Sequence, residues 1–404
     1  MRKINLILIA AAILMVGCNK NEVHHLMKYR TLAGIEVSEI GIGCEAFAHF
    51  DTAQARTFMT YAMDSGVNYI DIYDANPTVR SNIGYALRGR RDQMNIQGHI
   101  GVFWKDGQYC RTRNVDECRE GFNDLLARLE TDHIEVGMIH ITDSWEQWNE
   151  LQGSEYLEYV QQLKAEGKIG HIGMSSHNAE VALAAAKSGL IEVLMFSLNP
   201  AFDRLPSGVN PWDEDSEQHA MSGIDPVRIE LYDYCATHNI AIVNMKTFGG
   251  GRLLDAERSP LHVAMTPVQC LSYVLAKPCV ACALTGARTI DELQQALDYV
   301  TATDDERNYS KVLDRPDAQA ESQCTYCGHC APCRAGIDID EVNRLLDEYE
   351  AQGCEGVSPD LQARYDALQH KASGCTECGD CEGRCPFHIN VRQRMKKAAS
   401  VFEK

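Results

Sequence analysis

One pattern constrains this chain more than any other. From residue 35 to residue 300, a short apolar or β-branched run is followed by a helical stretch, and the pair recurs eight times. The strand candidates are residues 35–44, 68–73, 94–100, 133–141, 171–176, 192–199, 241–246 and 280–285. The helix candidates are 52–65, 80–88, 114–130, 154–167, 178–188, 225–239, 266–276 and 289–300. Asn114 and Asn178 stand where helix caps belong, and Thr266-Pro267 puts proline at a first helical position. Gly66, Gly167 and Gly189 close helices. Strands alternating with helices make a parallel sheet under helical cover. Eight such units over about 265 residues have the size of a closed (β/α)8 barrel. An open doubly wound sheet is the alternative, but no Gly-x-Gly-x-x-Gly follows the first strand run. The expected fold class is α/β, and function is expected at the C-terminal strand ends.

Those ends carry ionisable groups. Glu45 follows the first strand, Asp71 and His99 lie near the ends of the second and third, His140 near the end of the fourth, and His177 just past the fifth. A lone histidine is more often structural, but matching positions on successive strands predict convergence on one rim. A carboxylate beside an imidazole favours the imidazolium. Asp71 and His99 are thus expected to form a proton-donating pair, with His140 orienting a substrate oxygen. The same side chains could instead make a two-histidine, one-carboxylate metal site, with His177 or Glu45 as further ligands. Lys246, beside a glycine run, could meet a phosphate or an acidic substrate, or pair with an internal carboxylate.

Several segments resemble the aldo-keto reductase family, whose fold is the TIM barrel. Gly66-Val67-Asn68-Tyr69-Ile70-Asp71 is similar to the family's segment around its catalytic aspartate. Residues 133–140 are similar to the strand ending in its catalytic histidine, and Ile172-Gly173-Met174-Ser175-Ser176 to a cofactor segment. The resemblance spans about residues 28–300. It implies an oxidoreductase acting on a carbonyl or alcohol group of a small, sugar-like molecule, with NAD(P) as cofactor. Ser175, Ser176, Lys246, Gly249, Gly250, Gly286 and Arg288 would hold the dinucleotide. The chain also departs from the family. Asn76 stands at the tyrosine position, His99 at the lysine position, Ser176 at an asparagine, Met195 at the amide-binding glutamine and Met245 at the stacking tyrosine. Asparagine has no phenolic proton to give. A barrel that has lost its chemistry and serves as a scaffold for an electron carrier is the second reading.

Eight of the 17 cysteines fall in two C-terminal runs. Cys324, Cys327, Cys330 and Cys333 form the first; Cys375, Cys378, Cys381 and Cys385, followed by Pro386, form the second. The second run resembles that of bacterial ferredoxins, and the expectation is two [4Fe-4S] clusters. The two-cluster rule would group Cys324, Cys327 and Cys330 with Cys385, and Cys375, Cys378 and Cys381 with Cys333. Zinc is the alternative, although zinc sites usually use two separated pairs. Helices are expected at 340–350, 360–368 and 391–404, so residues 324–404 form a module larger than a minimal ferredoxin, joined by an acidic linker at 301–323. Clusters pass single electrons and a nicotinamide passes hydride, so coupling them calls for a mediator or a redox partner protein.

Residues 1–17 carry a basic start and an apolar run, and Leu14-Met15-Val16-Gly17-Cys18 resembles a lipobox. Cys18 would be the lipidated residue, residues 18–28 a tether, and the location the cell envelope, with the membrane met only through that anchor. A true start at Met27 would place the chain in the cytoplasm. The net charge of −19 repels nucleic acid. The expected partner is a small-molecule substrate.

Overall fold

The computed structural model describes residues 26–207, 209–211, 223–313, 324, 330–352, 356–385 and 389–403. The segment 1–17, Cys18 and Cys327 lie outside the described residues.

Twelve strands are present among the described residues, in chain order β1 Tyr29–Leu32, β2 Ile35–Ser38, β3 Ile40–Gly43, β4 Tyr69–Ile72, β5 Asn95–Ile100, β6 Val102–Lys105, β7 Gln108–Arg111, β8 Ile134–Ile139, β9 Ile169–Ser176, β10 Val193–Ser197, β11 Ala241–Met245 and β12 Val280–Thr285. Eight of them, β3, β4, β5, β8, β9, β10, β11 and β12, pair in parallel and close into a barrel. Every expected strand–helix unit is found. The expected first strand is in fact two. Ala33-Gly34 turns the chain at φ 47° and 95°, so β1 and β2 form an antiparallel hairpin, and only Ile40–Gly43 enters the barrel.

Side-chain alternation divides most of the barrel into two faces, with a register irregularity where β12 meets β11. Tyr69, Val136, Met138, Val193, Met195, Val243, Met245, Cys282 and Leu284 share an interior cluster, closed below by Leu32 and Val37 of the hairpin. Their neighbours Ile70, Ile72, Ile96, Ile100, Ile134 and Ile139 pack outward against the helices. The same period of two carries Asp71, His99 and His140 into the barrel mouth. Cys279, just before β12, joins the outer cluster, and Cys282 the inner one.

The stretch after β5 holds an element that the hydrophobic pattern did not announce. β6 and β7 form a hairpin of their own, joined by Asp106-Gly107 at φ 52° and 76°, the left-handed pair that a two-residue turn demands.

One buried carboxylate ties three consecutive segments of the helical shell. Asp203, fully buried, accepts from Tyr232 at 2.6 Å and Tyr273 at 2.7 Å. Lys277 lies 3.2 Å and Arg228 3.5 Å away.

The C-terminal helices Ile339–Ala351, Pro359–Ala367 and Val391–Phe402 surround a separate core that includes Val342, Leu345, Leu346, Tyr365, Met395 and Phe402. An ion pair between Arg344 and Asp233 links this module to the barrel helix Pro226–Thr237. No helix among the described residues is long and apolar enough to cross a membrane.

Asp203→Asn should leave two buried cations without their anion and cost about 3–5 kcal/mol. Tyr273→Phe removes one hydrogen bond to a charged group and should cost about 1.5–3 kcal/mol. Urea unfolding of the two variants checks the order; equal midpoints would contradict it.

Candidate active site

Three expected residues form a continuous hydrogen-bonded line. Asp71 is 1%, His99 2% and His140 6% exposed, so water does not compete for their bonds. His99 Nε2 donates to Asp71 Oδ1 at 3.0 Å. His99 Nδ1 and His140 Nδ1 are 2.6 Å apart and share one hydrogen. The rings meet edge to face, with centroids 4.8 Å apart.

The line continues in both directions through residues that sequence reasoning missed. Below, Gln97 Nε2 donates to Asp71 Oδ1 at 2.6 Å, and the Tyr69 hydroxyl donates to Gln97 Oε1 at 2.7 Å. Both are interior positions of their strands, two residues before His99 and Asp71. Above, the Tyr109 hydroxyl lies 2.6 Å from His140 Nε2. Tyr109 belongs to β7. Asp106-Gly107, a strong two-residue hairpin signal, was the available clue to that element.

Arg113 also escaped notice. Its guanidinium donates to the carbonyls of His140 at 2.9 Å and Ile141 at 3.1 Å, and it lies over the Tyr156 ring, 4.4 Å from the centroid. It thereby fixes the backbone that aims His140.

Electrostatics sets the protonation of this line. Burial, reinforced by His99, Arg113, Arg111 and His177, pushes the His140 imidazole down to about 2. Burial raises the Tyr109 phenol to about 12 against the opposing pull of Arg111. The mouth therefore holds a neutral imidazole capped by a protonated phenol. Asp71, His99 and His140 follow one another rather than surround a point. Two nitrogens 2.6 Å apart leave no room for an ion bound by both at about 2.0–2.1 Å in tetrahedral geometry. No group of three metal-ligating side chains is gathered among the described residues.

The other expected rim residues take separate places. His177 is held by Asp143, which accepts from its backbone N–H at 2.7 Å and its Nδ1 at 3.0 Å. Burial pushes the Asp143 carboxyl up, but these bonds outweigh it and hold the group below its ordinary value. Glu45 faces the open mouth, where solvent reaches it. Surrounding protein raises its pKa, with Asp71 adding to the effect and Lys246 and Arg288 opposing it. Asn76, at the family's tyrosine position, caps the helix Pro77–Leu87 by accepting from Thr78 N–H at 2.9 Å.

The ends of β11 and β12 offer an anion cradle. Gly249, Gly250 and Gly251 turn at φ 59°, 66° and 81°, and the space beside Gly250 and Gly251 is open. Lys246 and Arg288 present exposed cations there. A glycine turn and two cations after the seventh and eighth strands fit the phosphates of a dinucleotide. Ser175 and Ser176 are buried. Ser175 Oγ accepts from Ile141 N–H at 2.8 Å, and Ser176 Oγ donates to the Thr142 carbonyl at 2.7 Å. Met195 and Met245 line the interior beneath them.

In the C-terminal module, Cys324 and Cys381 belong to the core, and Cys330, Cys333, Cys375 and Cys385 pack against it. Asn343 Nδ2 donates to Cys324 Sγ at 3.4 Å, and Cys330 Sγ donates to Asp340 Oδ1 at 3.1 Å. Soft sulfur donors of both runs thus meet one apolar core, though the described residues do not gather them into a coordination group.

Residues 39–268 match the Aldo/keto reductase family. The uncharacterized oxidoreductase YqkF of Bacillus subtilis is 28% identical over 287 residues, covering 66% of this chain and 89% of that protein. Aldo-keto reductase YhdN of the same organism is 30% identical over 165 residues, covering 38% of this chain and 48% of its own. The solved holo form of aldo-keto reductase AKR11C1 from Bacillus halodurans superposes with a TM-score of 0.56 at 24% identity, covering 71% of this chain and 96% of that one. The chain belongs to the aldo/keto reductase family, and it is an oxidoreductase of that type.

Because the folded site refuses a proton at His140, stability should depend on pH. Below about 6.5, the ordinary imidazole value, the unfolded chain takes up a proton that the folded chain does not. Stability supplied by this group is whole above that pH and is lost toward acid, by about 1.4 kcal/mol per pH unit. Urea midpoints between pH 7 and pH 5 should fall for the parent and flatten in His140→Gln. A parallel fall in both proteins would contradict this.

Proposed function

We propose that the barrel reduces a carbonyl, or oxidises the matching alcohol, on a small polar molecule of sugar-like character, using NAD(P). The observation that carries this reading is the buried line Asp71–His99–His140 at the C-terminal rim, beside an anion cradle at the seventh and eighth strand ends. Lys246, Arg288 and the glycine turn would hold the phosphates, and Ser175 and Ser176 would border the nicotinamide. When bound, the reduced dinucleotide supplies hydride. The chain's own residues exclude water, aim the substrate oxygen at the rim and move one proton. Glu45, with its raised pKa, offers a hydrogen-bonding group toward a hydroxylated substrate.

The C-terminal module is proposed to carry two [4Fe-4S] clusters on Cys324, Cys327, Cys330, Cys333, Cys375, Cys378, Cys381 and Cys385. Spacing supports this, as does the packing of both runs on one core. Single electrons would pass between the clusters and a redox partner protein. The lipobox-like segment supports tethering to the cell envelope through Cys18.

A panel of aldehydes, ketones and their alcohols should be turned over with NADPH or NADH, and His99→Ala and His140→Ala should each lose at least about 100-fold in kcat/KM. Variants equal to the parent would sink the site. Anaerobically purified protein should contain about eight irons per chain with matching sulfide. A colourless, iron-free preparation after reconstitution would remove the cluster proposal and leave the barrel reading intact.

A further inference from the structure

The family's tyrosine position is filled by Asn76, yet a phenol stands at the mouth by another route. We propose that Tyr109, carried by the inserted hairpin β6–β7, is the acid that gives its proton to the substrate oxygen. This rests on the carbonyl-reducing reading above.

Three observations carry it. Asp71, His99 and His140 are sealed from solvent, whereas Tyr109 is half-buried; of the four groups, only the phenol is within reach of a ligand in the mouth. The outer nitrogen of His140 is already covered by the Tyr109 oxygen at 2.6 Å, so the imidazole meets a substrate through the phenol. Finally, Cys44 and Asp74, which follow β3 and β4, are among the groups that act on the Tyr109 hydroxyl electrostatically. Through its contact with His140, the hydroxyl sits just past the end of β8, beside the barrel mouth.

Counting hydrogens shows how the line reloads this acid. With one added proton on the line, His99 bears hydrogen on both nitrogens, Nε2 toward Asp71 and Nδ1 toward His140. His140 then donates from Nε2 to the Tyr109 oxygen, and the phenolic hydrogen points into the mouth. As hydride from the reduced nicotinamide reaches the carbonyl carbon, the C–H bond forms and the C=O π bond opens. The substrate oxygen takes the Tyr109 proton, the Tyr109 oxygen takes hydrogen from His140 Nε2, and His140 Nδ1 takes hydrogen from His99 Nδ1. His99 ends neutral, still donating to Asp71. The substrate has gained a hydride and a proton, the dinucleotide has been oxidised, and the line has lost one proton, restored from water. No step leaves charge on His140, in keeping with an imidazole that resists protonation.

Tyr109→Phe keeps the ring and removes only the hydroxyl. With NADPH and the best carbonyl of the panel, kcat should fall by about 10²–10⁴-fold, while NADPH affinity by fluorescence titration stays at the parental value and circular dichroism shows the variant folded at the assay temperature. His99→Asn, which retains the phenol but breaks its supply, should shift the pH profile of kcat. In Tyr109→Phe, a further His99→Asn change should add little, because residues acting as one unit are not additive. An active parent with a Tyr109→Phe variant within threefold of it overturns the proposal and leaves the carbonyl-reducing reading standing. A parent that binds no dinucleotide and reduces no carbonyl overturns that reading, and this acid with it.

Discussion

The hydrogen bond between His99 and His140 is the contact on which this site depends. Two buried imidazoles 2.6 Å apart can share one hydrogen, but they repel strongly if both are charged. The barrel meets this constraint with asymmetry. His99 rests on a carboxylate fully inside the protein, whereas His140 faces Arg113 from one side and a phenol from the other. One end of the line is anchored on a carboxylate, and the position next to it refuses a proton. That gradient gives direction to a row of otherwise similar groups, and it arises from which strand each residue occupies.

Much of this was legible in the sequence. Period-two alternation places Tyr69 and Asp71 on one face of β4, and Gln97 and His99 on one face of β5, and the pairing of Asp71 with Gln97 makes these the same face of the barrel. Strand and helix boundaries followed from caps and glycines, as at Asn178 and Gly167. Other features were hidden for physical reasons. The run 35–44 looks like one strand because both of its halves are apolar, and only the turn at Ala33-Gly34 and the pairing with β1 divide its role. Tyr109 is separated from Asp71 by an entire strand–helix unit, and its hairpin alternates weakly, so no local spacing connects it to the site. The pairing of His177 with Asp143 is likewise a contact between the loops after two different strands.

The departures from the family pattern form a coherent set. Losing the tyrosine to Asn76 yields a well-capped helix start. Losing the lysine to His99 replaces an ammonium, which can only donate, with a ring that can both accept and donate. Met195 and Met245 exchange polar and aromatic surfaces for soft, adaptable ones beneath the proposed nicotinamide position. Each change alters how the mouth handles protons or flat rings while the eight-stranded frame stays closed.

The ribbon formed by β6 and β7 pairs with no other strand. Its phenol is thus mounted on an appendage rather than on the frame. Such mounting separates two kinds of inheritance: substitutions in the ribbon can reposition or delete an acid without disturbing the packing of the interior, and the frame can drift without carrying the acid along. A lineage with this architecture can retune its chemistry by editing the exposed turn and outer strand of one ribbon, whose inner residues Val102 and Phe103 stay buried.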